Sequence, residues 1–209
     1  ERARGVCAAC AGNHAQGMAA AAAHYNAKAV IFGPITTPAI KVEAVAARGA
    51  EPRLIGDNYD EACAAAMAYA DDSGAVFIHP FDEIDVIAGQ GTVGKEIMEQ
   101  MPRTPAAVYV CVGGGGLVAG VGTWVKAVSE DTQIISVEAE GAPTLHAAMA
   151  AGHPVTLNNV DSFADGTAVR TIGTNTFDIA RRVVDRAILV SNDEICAAVK
   201  DMFEATRTV

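Results

Sequence analysis

The sequence predicts an α/β protein made of two parallel-sheet domains. Three observations carry that expectation. Short runs rich in β-branched residues alternate with longer alanine-rich stretches of helical length, the pattern that βαβ units produce. Apolar residues make up 51% and charged residues 19% of the 209. A chain of this mass buries roughly 70% of its ~31,000 Å² extended surface and keeps ~9,000 Å² exposed. Finally, nothing approaches the ~18 uninterrupted apolar residues of a membrane span, and the 20 glycines cluster rather than repeat, which excludes a collagen-like chain.

The elements follow in order. Asn13 begins a helix over 13–25, reached through the small residues 8–12. The Ala-Val-Ile-Phe run at 29–32 predicts the first strand. Thr36-Thr37-Pro38 opens a helix over 38–48 with Pro at its first position, and Gly49 sits where it should stop. A strand at 53–55, a helix over 59–72 closed by Gly74, and a strand at 76–78 complete the first unit. The boundary lies between Pro80 and Gly91, with a loop through Gly89-Gln90-Gly91. The second unit alternates a helix over 86–100, a strand at 107–112, a helix over 117–129, a strand at 134–138 and helices over 144–150 and 175–184. A strand at 187–190 and a helix over 193–206 opened by Ser191-Asn192-Asp193-Glu194 end it. The expected domains are 1–85 and 86–209.

Charge narrows the function classes. Fifteen Lys and Arg against 25 Asp and Glu leave a net charge of −10. Such a chain lacks the cations that neutralise phosphates, so no nucleic-acid and no membrane partner is expected. Cysteines 7, 10, 63, 111 and 196 are an odd number. Cys7 and Cys10 have CxxC spacing, but no second pair or His cluster follows at zinc-site distance. Reduced thiols in a cytoplasmic protein are the expectation.

Val108-Tyr-Val-Cys-Val112 runs into Gly113-Gly-Gly-Gly116 and then into Leu117-Val-Ala-Gly-Val-Gly. A strand, four glycines and a helix form an anion site, since the loop can curl its N–H groups inward and the helix start adds partial positive charge. No Lys-Ser/Thr follows, so this is not a Walker loop. Two ligands remain open. A single phosphate group is the simpler. A nicotinamide dinucleotide is the other, because Gly114, Gly116 and Ala119 satisfy GxGxxA and Glu138 ends the next strand near the ribose-binding position.

The segment Cys10-Ala-Gly-Asn-His-Ala-Gln-Gly17 resembles the SxGNHxQG segment of fold type II pyridoxal-phosphate enzymes. Thr37-Pro-Ala-Ile-Lys41, His79-Pro-Phe-Asp82, Ile87-Ala-Gly-Gln-Gly-Thr92, Val112-Gly-Gly-Gly-Gly-Leu117, Phe163-Ala-Asp-Gly166 and Glu194-Ile-Cys-Ala-Ala198 extend the resemblance to the threonine dehydratase family, across nearly the whole chain. The implied architecture is the tryptophan synthase β-like one, with 1–85 as the small domain and 86–209 as part of the large domain. The implied cofactor is pyridoxal 5′-phosphate and the implied substrate a small amino acid. The intact parent is expected to be a homo-oligomer.

The resemblance also implies roles residue by residue. Gly113, Gly114, Gly115, Gly116 and Leu117 would cradle the cofactor phosphate. Asn13 would hydrogen-bond the ring 3′-oxygen, and Gly166 would line the site. Cys10, Ala11 and His14 would clamp the substrate carboxylate. Position 10 is Cys where the family usually has Ser, a weaker donor. Ala11 stands where racemase-like members have a proton-delivering Ser, which favours dehydration. Their cation site would use Glu138, the Ala142 carbonyl and an acid at 144; here Thr144 stands there, and no metal is expected.

The family's Schiff-base lysine lies in an SFKxRGA segment upstream of the Gly-Asn-His motif. Lysines 28, 41, 95, 126 and 200 have no such context. The resemblance therefore implies an internal fragment whose catalytic lysine falls before Glu1, inactive by itself. Two other classes remain as alternatives: a nicotinamide-dependent oxidoreductase and a non-catalytic amino-acid-binding domain.

Overall fold

The structure, a computed structural model, describes residues 4–10 and 12–208. The chain forms two compact units, Glu1–Pro80 and Phe81–Val209. The sequence suggests a division five residues later. Phe81 and Asp82 belong to the second unit because they pack on, and bond to, its glycine loop and one of its helices.

The first unit is a four-stranded parallel sheet ordered β3-β2-β1-β4, from β1 (Val6–Ala9), β2 (Ala29–Gly33), β3 (Glu51–Leu54) and β4 (Val76–Phe77). Helices α1 (Asn13–His24), α2 (Ala39–Ala46) and α3 (Tyr59–Ser73) connect them. Strand alternation splits the core in two. Ala8, Ala29 and Ile31 pack with Ala15, Ala19 and Ala22 of α1 and Val45 of α2. Cys7, Ala9, Val30 and Phe32 pack with Ala62 and Ala66 of α3.

Strand β1 is absent from the sequence expectation, yet it is internal to the sheet and pairs with both β2 and β4. Val-Cys-Ala-Ala holds one β-branched residue, so propensity reads it as indifferent. Burial on both faces makes it a strand. Pro38 is another correction: it is extended, φ −55° and ψ 137°, and precedes the first turn of α2 rather than filling it. Gly74 closes α3 in the left-handed region at φ +71°, as a C-terminal glycine should.

The second unit has a three-stranded parallel sheet ordered β5-β6-β7, from β5 (Ala107–Cys111), β6 (Gln133–Ala139) and β7 (Arg186–Val190). Its helices are α4 (Ile84–Gln100), α5 (Gly116–Val128), α6 (Thr144–Ala151), α7 (Thr174–Val183) and α8 (Asn192–Thr206), with a short 3₁₀ turn at Asp165–Thr167. The core joins Val108 and Val110 of β5, Val118, Val121 and Val125 of α5, Ile134, Leu145 and Phe177. Ser191 and Glu194 close a reciprocal capping box at the start of α8.

The expected loop at Gly89-Gln90-Gly91 is instead helical, inside α4. The glycines there serve packing. A Cβ on Gly91 would stand 3.3 Å from the Gly120 carbonyl, and one on Gly94 3.0 Å from that of Val121. These small residues let α4 and α5 approach backbone to backbone, which sets where α5 begins.

Candidate cofactor site

Strand β5 ends at Cys111, and the N–H of Val112 just after it donates to the Val137 carbonyl at 2.9 Å. The chain then turns through the glycines into α5. Gly115 is the N-cap of α5 at φ +92°, a conformation that a side chain resists. Gly114 is required by space: a Cβ there would lie 2.3 Å from Cγ of Phe81.

The loop carbonyls and N–H groups are treated differently. Thr144 Oγ1 donates to Gly113 O at 2.7 Å. Gly114 O accepts from Thr176 Oγ1 at 2.7 Å and from the Gly173 N–H at 3.3 Å. Among the described residues, no N–H of residues 113–117 has a protein acceptor, although Gly114, Gly115 and Gly116 are buried. Buried peptide donors are almost always paired. Unpaired ones converging at a helix start suit an anion. The loop thus fits a phosphate group.

Two carboxylates pin the helices around it. Glu138, 1% exposed, accepts from the N–H groups of Leu145 and His146 at 2.7 and 2.9 Å, and its Oε1 lies 3.4 Å from Thr144 Oγ1. Burial pushes its carboxyl above the usual range, against the pull of these donors. Asp82 accepts from the Thr174 and Thr176 N–H groups of α7 at 3.0 and 3.1 Å. The Thr167 backbone stands against Gly113, where a Cβ would meet its carbonyl at 2.9 Å. Gly166, one residue earlier, is exposed with open space around it.

In the first unit, Gly12 is the N-cap of α1 and Asn13 its first residue, with no side-chain cap. Asn13 is exposed and His14 half-buried. Cys10 Sγ accepts from the Gly12 N–H at 3.3 Å. Cys7 is fully buried, its thiol 3.5 Å from the Ala66 carbonyl, and burial pushes it up. The two thiols of the CxxC spacing therefore face different neighbours. Ala11 lies outside the described residues. Among the described residues, no group of three or more His, Cys, Asp or Glu could hold a metal ion, and no helix is long and apolar enough to cross a membrane.

A family model described as pyridoxal-phosphate dependent enzyme matches residues 1–209. The chain belongs to that family. It is 48% identical over 207 residues to the Arabidopsis thaliana protein named threonine dehydratase biosynthetic, chloroplastic, covering 99% of this chain and 35% of the relative. It is 49% identical over 212 residues to the mitochondrial threonine dehydratase of Saccharomyces cerevisiae, covering 100% of this chain and 37% of the relative. The chain thus spans little more than a third of the length of these curated relatives. Among solved structures, the processed form of threonine deaminase isoform 2 from Solanum lycopersicum superposes with a TM-score of 0.94 at 45% identity, over 99% of this chain and 60% of that one. A maize serine racemase gives 0.90 at 33% identity, over 96% and 60%. The α/β architecture with parallel sheets is that of fold type II members of the family, whose cofactor is pyridoxal phosphate.

Membership recasts two sequence expectations. Glu138 suggests a ribose-binding acid, yet its carboxylate is buried and taken up by two N–H groups at the start of α6. Thr144, expected from the resemblance to stand at the acid position of the racemase-like members' cation site, is bonded to the glycine loop. Sequence reasoning misses Phe81, Asp82, Thr144 and Thr176 as shapers of the loop. The hydrogen-bond partners of the last three lie 31 to 94 residues away, so no local pattern exposes them.

Proposed function

We propose that this chain is the cofactor-holding core of a pyridoxal-phosphate-dependent ammonia-lyase that converts L-threonine, and also L-serine, to the 2-oxo acid and ammonia. The observation that carries this reading is that Gly114, Gly115 and Gly116 are buried and, among the described residues, their N–H groups have no protein acceptor. The names of the 45–49% identical relatives support the substrate.

When bound, the cofactor supplies a ring that accepts the electron pair left on the substrate α-carbon. The residues of this chain would hold the cofactor and the substrate. Gly113, Gly114, Gly115, Gly116 and Leu117 hold the phosphate by peptide N–H groups, aided by the α5 dipole. Asn13 would donate to the ring 3′-oxygen, and Gly166 would line the site. Cys10, Ala11 and His14 receive the substrate carboxylate. Ala11 offers no hydroxyl to return a proton, so loss of the β-hydroxyl is favoured over racemisation. Net, threonine would lose its β-hydroxyl as water and its amine by hydrolysis, giving 2-oxobutanoate and ammonia.

Titration of the chain with pyridoxal phosphate and, separately, with NAD tests the cofactor. Binding of the first is expected, and tight NAD binding without it would sink the proposal. With the family's lysine segment joined to the chain, 2-oxobutanoate from threonine is the expected product.

A further inference from the structure

The glycine loop is held by its carbonyl oxygens. In a trans peptide the C=O and the following N–H point in opposite directions. Whatever grips the oxygen therefore also aims the hydrogen. Thr144 Oγ1 grips Gly113 O at 2.7 Å, the ordinary length of a good O–H···O bond, while Glu138 Oε1 lies further off at 3.4 Å. Thr176 Oγ1 grips Gly114 O at 2.7 Å, with Gly173 O at 3.1 Å. Both threonines are fully buried. Each rides on a helix start fixed by a carboxylate from elsewhere in the unit: α6 by Glu138 and α7 by Asp82.

We propose that Thr144 and Thr176 are positioning residues that aim the N–H groups of Gly114 and Gly115 at the cofactor phosphate. This inference rests on the pyridoxal-phosphate reading above. Without its hydroxyl the Gly113 carbonyl loses its side-chain anchor and the Gly114 carbonyl keeps only the longer 3.3 Å bond from the Gly173 N–H, so each peptide is held less firmly, and Gly113 and Gly114 offer no Cβ to resist rotation. The N–H would then be aimed only part of the time, and the loss would fall on the phosphate rather than on the ring.

The test is calorimetric titration of the full chain, wild type and Thr144→Val, Thr176→Val, Thr144→Ser and Thr176→Ser, with pyridoxal 5′-phosphate, pyridoxal and inorganic phosphate. Each valine variant is expected to weaken pyridoxal phosphate and inorganic phosphate about tenfold, the equivalent of about 1.4 kcal/mol, and to leave pyridoxal unchanged. The serine variants are expected to restore wild-type affinity. Equal weakening of pyridoxal and its phosphate would overturn the inference, because that is general damage to the site. So would an unchanged phosphate affinity in both valine variants. Should the valine variants not fold, amide NMR of the wild type decides: phosphate is expected to shift Gly114 and Gly115 first, and their failure to move overturns the inference. Wild-type protein that binds neither pyridoxal phosphate nor inorganic phosphate removes the cofactor reading itself, and this inference with it.

Discussion

Gly120→Ala measures how closely the scaffold holds α5, and with it the glycine loop. A Cβ at position 120 would stand 2.3 Å from the Ile87 carbonyl oxygen, 2.7 Å from the Gly91 nitrogen and 2.8 Å from Cβ of Gln90. Two of these are backbone atoms of α4, so no side chain can swing aside. Reaching ordinary contact requires the helices to part by about 1 Å, a gap that forfeits a quarter to a half of each dispersion contact along the line. That line includes Gly94 against Val121 and Val125. Overpacking of this kind costs about 3 kcal/mol, which lowers the Tm of a chain this long by about 6–12 °C. The helix preference for Ala over Gly returns at most about 1 kcal/mol. Gly89→Ala is the control, on the same α4 but with open space where its Cβ would go; it is expected to stabilise by about 0.5–1 kcal/mol. Urea and thermal unfolding read both. A Gly120→Ala chain within about 1 kcal/mol of the parent would show that α4 and α5 do not meet backbone to backbone, and the account of the loop's placement would fail.

Three further outcomes are expected. Glu138→Gln replaces one acceptor by an amide N–H₂ that faces a peptide donor of α6; a loss of about 1–3 kcal/mol is expected in urea unfolding, and no loss would mean that the carboxylate does not hold α6. Asp185 is partly desolvated, yet the Lys126 ammonium at 2.9 Å and the Ile134 N–H at 2.7 Å hold its carboxyl below the ordinary value of 3.8. A depressed acid contributes stability that is whole above the unfolded value and fades as pH falls through the folded one. Asp185→Asn should therefore flatten the acid limb of stability below about pH 4, by at most about 1 kcal/mol because the pair is partly exposed. An acid limb of unchanged steepness would count against the pairing. On the proposed reading, Cys10→Ser in a chain joined to the family's lysine segment should lower KM more than it raises kcat, since a hydroxyl is the stronger donor to a carboxylate already present in the ground state; a rise in kcat alone would place Cys10 elsewhere in the reaction.

Local signals are strong wherever a backbone conformation demands a residue type. Gly74 at a helix end, Ser191 with Glu194 at a helix start and four glycines between a strand and a helix each name their own geometry. The same signals mislead where packing decides. Val6–Ala9 is a strand because it is buried on both faces, and Gly89 and Gly91 are helical because α4 lies against α5.

The α/β class, the glycine loop as an anion site and the motifs that point to the family are all legible in the chain, since each is written in contiguous residues. How the loop is held emerges only on folding. Hydrogen bonds from Thr144 and Thr176, and the cap from Asp82, bind residues far apart in the chain, while Glu138 caps α6 across a tight strand-to-helix connection. A hydroxyl or a carboxylate carries no mark of its partner until folding removes both from water, where leaving either unpaired costs free energy.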